Sequence, residues 1–402
     1  MAGVSDERRL RDGLEAIAVP ASGVRVEALL PAARKQKFRR NAARATAGAA
    51  VAVGVLVAVP VVLLRPTAAT PAPVLPAQRP SSSPSPSVTA CRMVKLPLPE
   101  GLGDAGPEAV DPTGTYIVGN GTEGQDFRPV LWTRGKASAL PVNADSVQAT
   151  AVNSSGVVVG LATRNNRDTV FRFAGGAYTE LKLPAGEWHP YPEPAINAAG
   201  DVVINAEPQG NSGGEGVIAL LWPAGSTDAV RLPLPEGAHV VDILDDGRMA
   251  GGIYKDGTAR EPWVWDRQGK GQKLTVPAGR NATAYSISGD WVTGGVWEPG
   301  NAALWNLRTG KLTQTTGDQN PGQAVNASGW VIDGNGRLIR DGKASRLPAG
   351  GGRKVAYVSD VSDTGLVVGH VTEEQTEAEE QDILDGGGQL ERQPQFPATW
   401  QC

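Results

Sequence analysis

Aromatic residues beside hydrogen-bonding groups are the feature of this chain best suited to binding chemistry. Trp188-His189-Pro190-Tyr191 and Trp297-Glu298 each set flat rings next to polar side chains, a combination that stacks on sugar rings or grips a peptide. Glu187, Glu193 and Glu298 are the carboxylates nearest these rings. A glycosidase would need two of them about 5–10 Å apart at one mouth, and no spacing in the sequence pairs them. No catalytic residue is therefore assigned.

Other formal matches fail on context. Gly119-Asn120-Gly121-Thr122-Glu123-Gly124 spells the dinucleotide fingerprint, but no helix follows to hold a pyrophosphate, so it reads as a loop between strands. Gly210-Asn211-Ser212-Gly213-Gly214 looks like a nucleophile elbow without the strand–turn–helix that exposes the serine. His189, His239 and His370 lack paired metal-ligand spacing, and Asp245-Asp246-Gly247 lacks the alternating oxygens of a calcium loop. Neither metal nor cofactor is expected.

The elements that must position these residues repeat. A small or apolar residue, an Asn, Asp or Ser, a turn closed by glycine and a β-branched run recur with glycines at 114, 156, 200, 247, 289, 329 and 365. The period of roughly 42 residues belongs to four-stranded propeller blades. Ala151-Val152-Asn153-Ser154-Ser155-Gly156-Val157-Val158-Val159-Gly160 is a clear copy: inner strand, tight turn, second strand. A third strand usually ends in an aromatic, as at Trp132, Phe173, Trp222, Trp265, Trp305 and Trp400, which packing against the next blade explains. Blade 6 departs, with Arg340 in the aromatic position after a very short loop. The expected fold is all-β, a seven-bladed propeller over residues 91–402.

Blade 7 stops at Trp400-Gln401-Cys402, one strand short, and Val94-Lys95-Leu96-Pro97-Leu98 at the start of the region supplies that strand. Splicing Cys402 onto Cys91 sets Leu96 eight positions from Trp400, the step that separates Leu140 from Trp132. The two cysteines then stand where Arg134 and Gly135 make the turn in blade 1, and a Cys91–Cys402 disulfide would replace that turn.

The N-terminal quarter is another kind of chain. Residues 45–64 carry no charge and match the thickness of a bilayer core, with Arg34, Lys35, Lys37, Arg39, Arg40 and Arg44 crowding the N-terminal side. These features predict a cytoplasmic basic tail (1–44), an uncleaved transmembrane helix (45–64), a Pro/Ser/Ala-rich linker (65–90) and an extracytoplasmic propeller. A cleaved signal peptide is the competing reading. The tail carries ten Lys/Arg against five Asp/Glu and suits anionic lipid heads better than nucleic acid. The rest of the chain is acidic, which argues against polyanion ligands. Residues 370–396 form the longest loop, with Glu373, Glu374, Glu377, Glu379, Glu380, Asp382 and Asp385.

The Asn-x-x-Gly-(Val)n-Gly unit, followed by strands ending at Trp132, Trp222, Trp265 and Trp305, resembles bacterial extracellular repeat proteins of the HAF type. The His-Ala-Phe triplet itself is not kept. That resemblance implies a cell-envelope propeller with no assigned chemistry, and the anchor is similar to those of high-GC Gram-positive bacteria. Loops joining strands two to three, and strand four to the next blade, share one rim, where the rings at 188–191 and 297 either bind a ligand or plug the channel mouth. Two functions follow: a membrane-tethered, non-catalytic module binding an envelope glycan, peptide or protein, or a propeller enzyme acting on carbohydrate.

Overall fold

The computed structural model describes residues 91–402 except 125, 142–143, 212–213, 298–299, 316–319, 353 and 375–392. The tail, the apolar span 45–64, the linker, Ser212, Glu298 and most of the acidic loop lie outside the described residues. Among the described residues no helix is long and apolar enough to cross a membrane.

Seven antiparallel sheets make up the fold; the first six are each laid down in sequence order from the innermost strand outward, and the seventh takes its outer strand from the start of the described chain. Blade 1 is Gly106–Val110, Tyr116–Glu123, Asp126–Thr133 and Lys136–Ala139; blade 2 opens at Ser146–Val152, blade 4 at Ala238–Ile243, blade 5 at Ala282–Ser288, blade 6 at Gly322–Val325 and blade 7 at Lys354–Val361. Blade 3 has its inner strand in two pieces, Trp188–Pro190 and Ala195–Ile196, both paired with Val202–Pro208. Pro192 and Pro194 explain the break, since neither has an N–H to give the ladder.

Two sequence expectations are corrected here. Gly119–Glu123 is not a loop but the continuation of blade 1's second strand, paired with Asp126–Val130. Side chains at Gly119 and Gly121 would run into the backbone at Gly106 and Asp104, so glycine permits the close approach. The acidic loop is shorter than 370–396, because blade 7's strands run to Glu373 and resume at Phe396.

The repeat's turn is held from within and tied to its neighbour. In blade 2 Asn153 Oδ1 accepts from the backbone N–H groups of Ser155 and Val157, both at 3.0 Å, and its amide donates to Asn197 O in blade 3 at 3.0 Å. Asn197 reaches Leu244 O in blade 4, and Asn326 reaches Ser362 O in blade 7. Higher on the blades, Asn120 brackets the backbone of Ala149, and Asn205 that of Val240, each through donor and acceptor together. These buried amides are satisfied, and each bond crosses from one blade to the next.

The core lies between blades. Trp132, Trp222, Trp265, Trp305 and Trp400 are fully buried. Four of them donate the indole N–H to a carbonyl of the preceding blade: Trp132 to Pro97, Trp222 to Lys182, Trp305 to Thr275 and Trp400 to Pro348, at 2.7–3.0 Å. The strand-three aromatics are therefore structural, as packing predicts. In blade 6 Arg340 instead lies over the Trp330 ring, 4.9 Å from its centroid.

The ring closes as the cysteine spacing predicts. Arg92–Lys95 is the outer strand of blade 7, with Met93 opposite Trp400. Leu96 N donates to Pro397 O, as Leu140 N donates to Pro129 O in blade 1, and Cys91 is bonded to Cys402.

Candidate functional site

The rim that carries the loops from strand two to three, and from strand four to the next blade, holds most of the residues chosen from sequence, though not as one patch. Trp188 and His189 sit on a strand rather than a loop, with His189 opposite Glu207. Trp188 packs against the apolar core shared by blades 2 and 3, and its indole N–H reaches Ala185 O at 3.3 Å. Glu187 and Glu193 are both exposed.

Tyr191 and Trp297 are ends of a series of rings across blades 3, 4 and 5. Tyr191 lies 5.6 Å from His239, and His239 lies 4.3 Å from Tyr254. Tyr254 is hydrogen-bonded to Tyr285 and Thr283, and Tyr285 meets Trp297 edge-on at 6.4 Å. Tyr191 also bonds Glu207 at 3.4 Å. His239, Tyr254 and Tyr285 were not chosen from sequence; each sits on a strand, where the motif search gave no signal.

Burial dominates the electrostatics of this series. It lowers the His239 pKa to about 4, so the imidazole is neutral at neutral pH, and its buried Nε2 has no hydrogen-bond partner among the described residues. Burial also raises the Tyr285 pKa, with further contributions from Tyr254 and the charge of Glu193. Gly214 lies near Tyr191 and His239.

Blade 7 differs at the equivalent position. Blade 7's Tyr357 holds the inner-strand place of His239: Tyr357 pairs with His370 and Val358 with Gly369, as His239 pairs with Gly252 and Val240 with Gly251. His239 is 8% exposed and Thr283, the blade 5 counterpart, is fully buried, whereas Tyr357 is 37% exposed. Trp297 and Tyr357 belong to the blades on either side of blade 6: Pro321 lies near Trp297 at Gly295 and bonds Gly334, and Gly336 packs against Tyr357.

Two half-buried carboxylates belong to the innermost strands. Asp242 Oδ2 accepts from Ile287 N and Ser286 Oγ in blade 5, and Asp360 Oδ2 accepts from Val110 N in blade 1, all at 2.9 Å. Their geometry ties each blade to the next. Burial pushes the Asp360 carboxyl up to about 7, with smaller contributions from the charges of Asp242 and Asp363. Among the described residues no group of three or more His, Cys, Asp or Glu is placed to hold a metal ion.

The fold defines the class, a seven-bladed β-propeller closed by its first strand. No protein-family model matches the chain, and no curated protein matches it in sequence. Among solved structures it is similar to oligogalacturonate lyase from Vibrio parahaemolyticus, at 9% identity and a TM-score of 0.50, covering 78% of this chain and 94% of that one. The propeller domain of the Trilobed protease from Pyrococcus furiosus (12%, 0.41, covering 74% and 79%) and TolB from Acinetobacter baumannii (10%, 0.39, covering 76% and 65%) are more distant in shape. At such identities the likeness is one of fold alone.

Proposed function

We propose that this protein is a membrane-tethered, extracytoplasmic propeller that binds an envelope glycan, peptide or protein on its loop rim and performs no chemistry on it. The observation that carries this reading is the open stretch of rim over blade 6, where Tyr357 is 37% exposed at a position that is buried in blades 4 and 5. A partly exposed aromatic on a rigid scaffold is a feature that a binding surface can use. The carboxylates of the inner strands support a non-catalytic role, because Asp242 and Asp360 are engaged with backbone N–H groups. The Cys91–Cys402 bond favours an oxidising compartment, consistent with residues 1–44 inside and the propeller outside. The HAF-type resemblance, which rests on the Asn-x-x-Gly repeat, points to the same cell-envelope setting.

The test is a screen of the full-length protein, purified in mild detergent, against glycan and peptide arrays. Binding that is lost in the Trp297→Ala/Tyr357→Ala variant at an unchanged melting temperature is the expected result. Cleavage of any array member would refute the non-catalytic reading.

A further inference from the structure

Blade 6 is cut short on the loop rim. Its second and third strands, Val331–Asp333 and Leu338–Arg340, have three residues each, where blade 5 has six in each and blade 7 has eight in its second. Among the described residues this leaves a gap on the rim over blade 6, bordered by the Gly334–Gly336 turn, with Pro321 near Trp297 at Gly295 and Gly336 against Tyr357.

Arg346 is fixed at the blade 7 side of this gap. Its Nη1 donates to Asn335 O at 3.3 Å and Ala356 O at 3.4 Å, and its guanidinium lies 5.1 Å over the Tyr357 ring. Its Nε and Nη2 have no partner among the described residues, whereas Arg128, Arg248, Arg267 and Arg337 each pair with a carboxylate. An immobilised guanidinium with an open edge is preorganised for a carboxylate, which it binds through two parallel hydrogen bonds. Asn320, beside Gly334, is 4% exposed, and its buried Oδ1 has no hydrogen-bond partner among the described residues. Residues 331–358 carry six Lys/Arg against two Asp/Glu, one of which, Asp333, is already held by Arg337. The blade is basic in an otherwise acidic propeller.

We propose that the gap over blade 6 docks an acidic peptide segment of a partner protein, one of whose carboxylates pairs with the open edge of Arg346. This rests on the binding-module reading and names its ligand class. A peptide suits the group that is exposed, its carboxylates meeting the open edge of Arg346. An acidic sugar fits less well, because Tyr357 has Arg346 over its ring and His370 stacked on it at 5.7 Å, leaving Trp297 as the platform.

The test is fluorescence anisotropy on the full-length protein with a labelled peptide of alternating Glu and Gly, its Gln counterpart, hexagalacturonate and cellohexaose. The Glu peptide should bind about tenfold or more tighter than the Gln peptide, and weaken as salt is raised. Arg346→Ala should abolish that preference and Arg346→Lys restore it only in part, both at the wild-type melting temperature. Equal binding of the Glu peptide by Arg346→Ala overturns the proposal, as does preference for hexagalacturonate. If the Glu peptide binds only after residues 375–392 are replaced by a Gly-Ser linker, the occupant is the chain's own acidic segment and the external partner is overturned. Binding of cellohexaose alone defeats the ligand class yet leaves the module reading standing; no binding of any probe or array member defeats both.

Discussion

The indole N–H of Trp132 donates to the carbonyl oxygen of Pro97 at 2.7 Å, joining blade 1 to the strand that completes blade 7. Trp400 makes the same bond to Pro348 in blade 6. The closing blade is thus held like the others, except that a disulfide stands where a covalent turn would be.

Changing Cys91 and Cys402 to serine should open that blade first. The chain-entropy model gives roughly 5 kcal/mol for a loop spanning about 310 residues, a ceiling here because strand pairing already holds the ends. Hydrogen exchange should rise in 92–95 and 396–401 before any other strand. Uniform exchange across all blades would mean that the bond adds nothing local.

Gly156 and Gly135 both have positive φ, +74° and +78°, but only Gly156 lies under the Tyr116 ring of the preceding blade, where a Cβ would sit 2.7 Å from the nearest ring atom. Gly135→Ala carries the backbone strain alone, about 1 kcal/mol. Gly156→Ala adds a clash and should cost about 2–3 kcal/mol. Equal losses in denaturant titrations would show that the ring moves aside freely.

Asp360 gives stability a pH dependence with a definite sign. Its folded pKa of about 7 lies above the ordinary value, so between about pH 4 and pH 7 the folded state holds more protons than the unfolded. The stability contributed by the protonated carboxyl is full below about pH 4 and is lost as pH rises through 7. Asp360→Asn cannot titrate, so its melting temperature should gain on the wild type steadily across that window. His239, lowered to about 4 by burial, acts in the opposite direction in both proteins and cancels in the difference. A difference that stays constant from pH 4 to pH 7 would contradict the assignment.

External protease on intact cells should release a fragment close to residues 80–402 and leave a small membrane-bound stub, given the uncharged span 45–64 and the basic residues before it. Recovery of mature protein lacking its first 64 residues would establish cleavage instead.

Much of the fold was legible because the repeat is written in residues with one physical use. The Asn-x-x-Gly turn at Asn153, the Trp at the end of strand three and the two terminal cysteines each fix a local geometry, and their spacing gave blade number and closure. The break in blade 3 at Pro192 and Pro194 was not read from the sequence, and Trp188 and His189 were placed in a loop because local composition does not show that they pair with Pro208 and Glu207. The rim was harder. His239 and Tyr357 occupy the same place in two blades, and whether each is covered depends on the neighbouring blade's length. Nothing in the local sequence singles out Arg346; its pose depends on Asn335, Ala356 and Tyr357, which only the fold brings to it.

The most direct test of a ligand site on the open rim compares two variants of the full-length protein on the same glycan and peptide arrays. Trp297→Ala/Tyr357→Ala alters the gap over blade 6, and Trp188→Ala alters the packed side. The expected result is loss of every specific signal in the first variant and wild-type binding in the second, with the first variant's melting temperature unchanged. Wild-type binding by the first variant, or loss confined to the second, would contradict it.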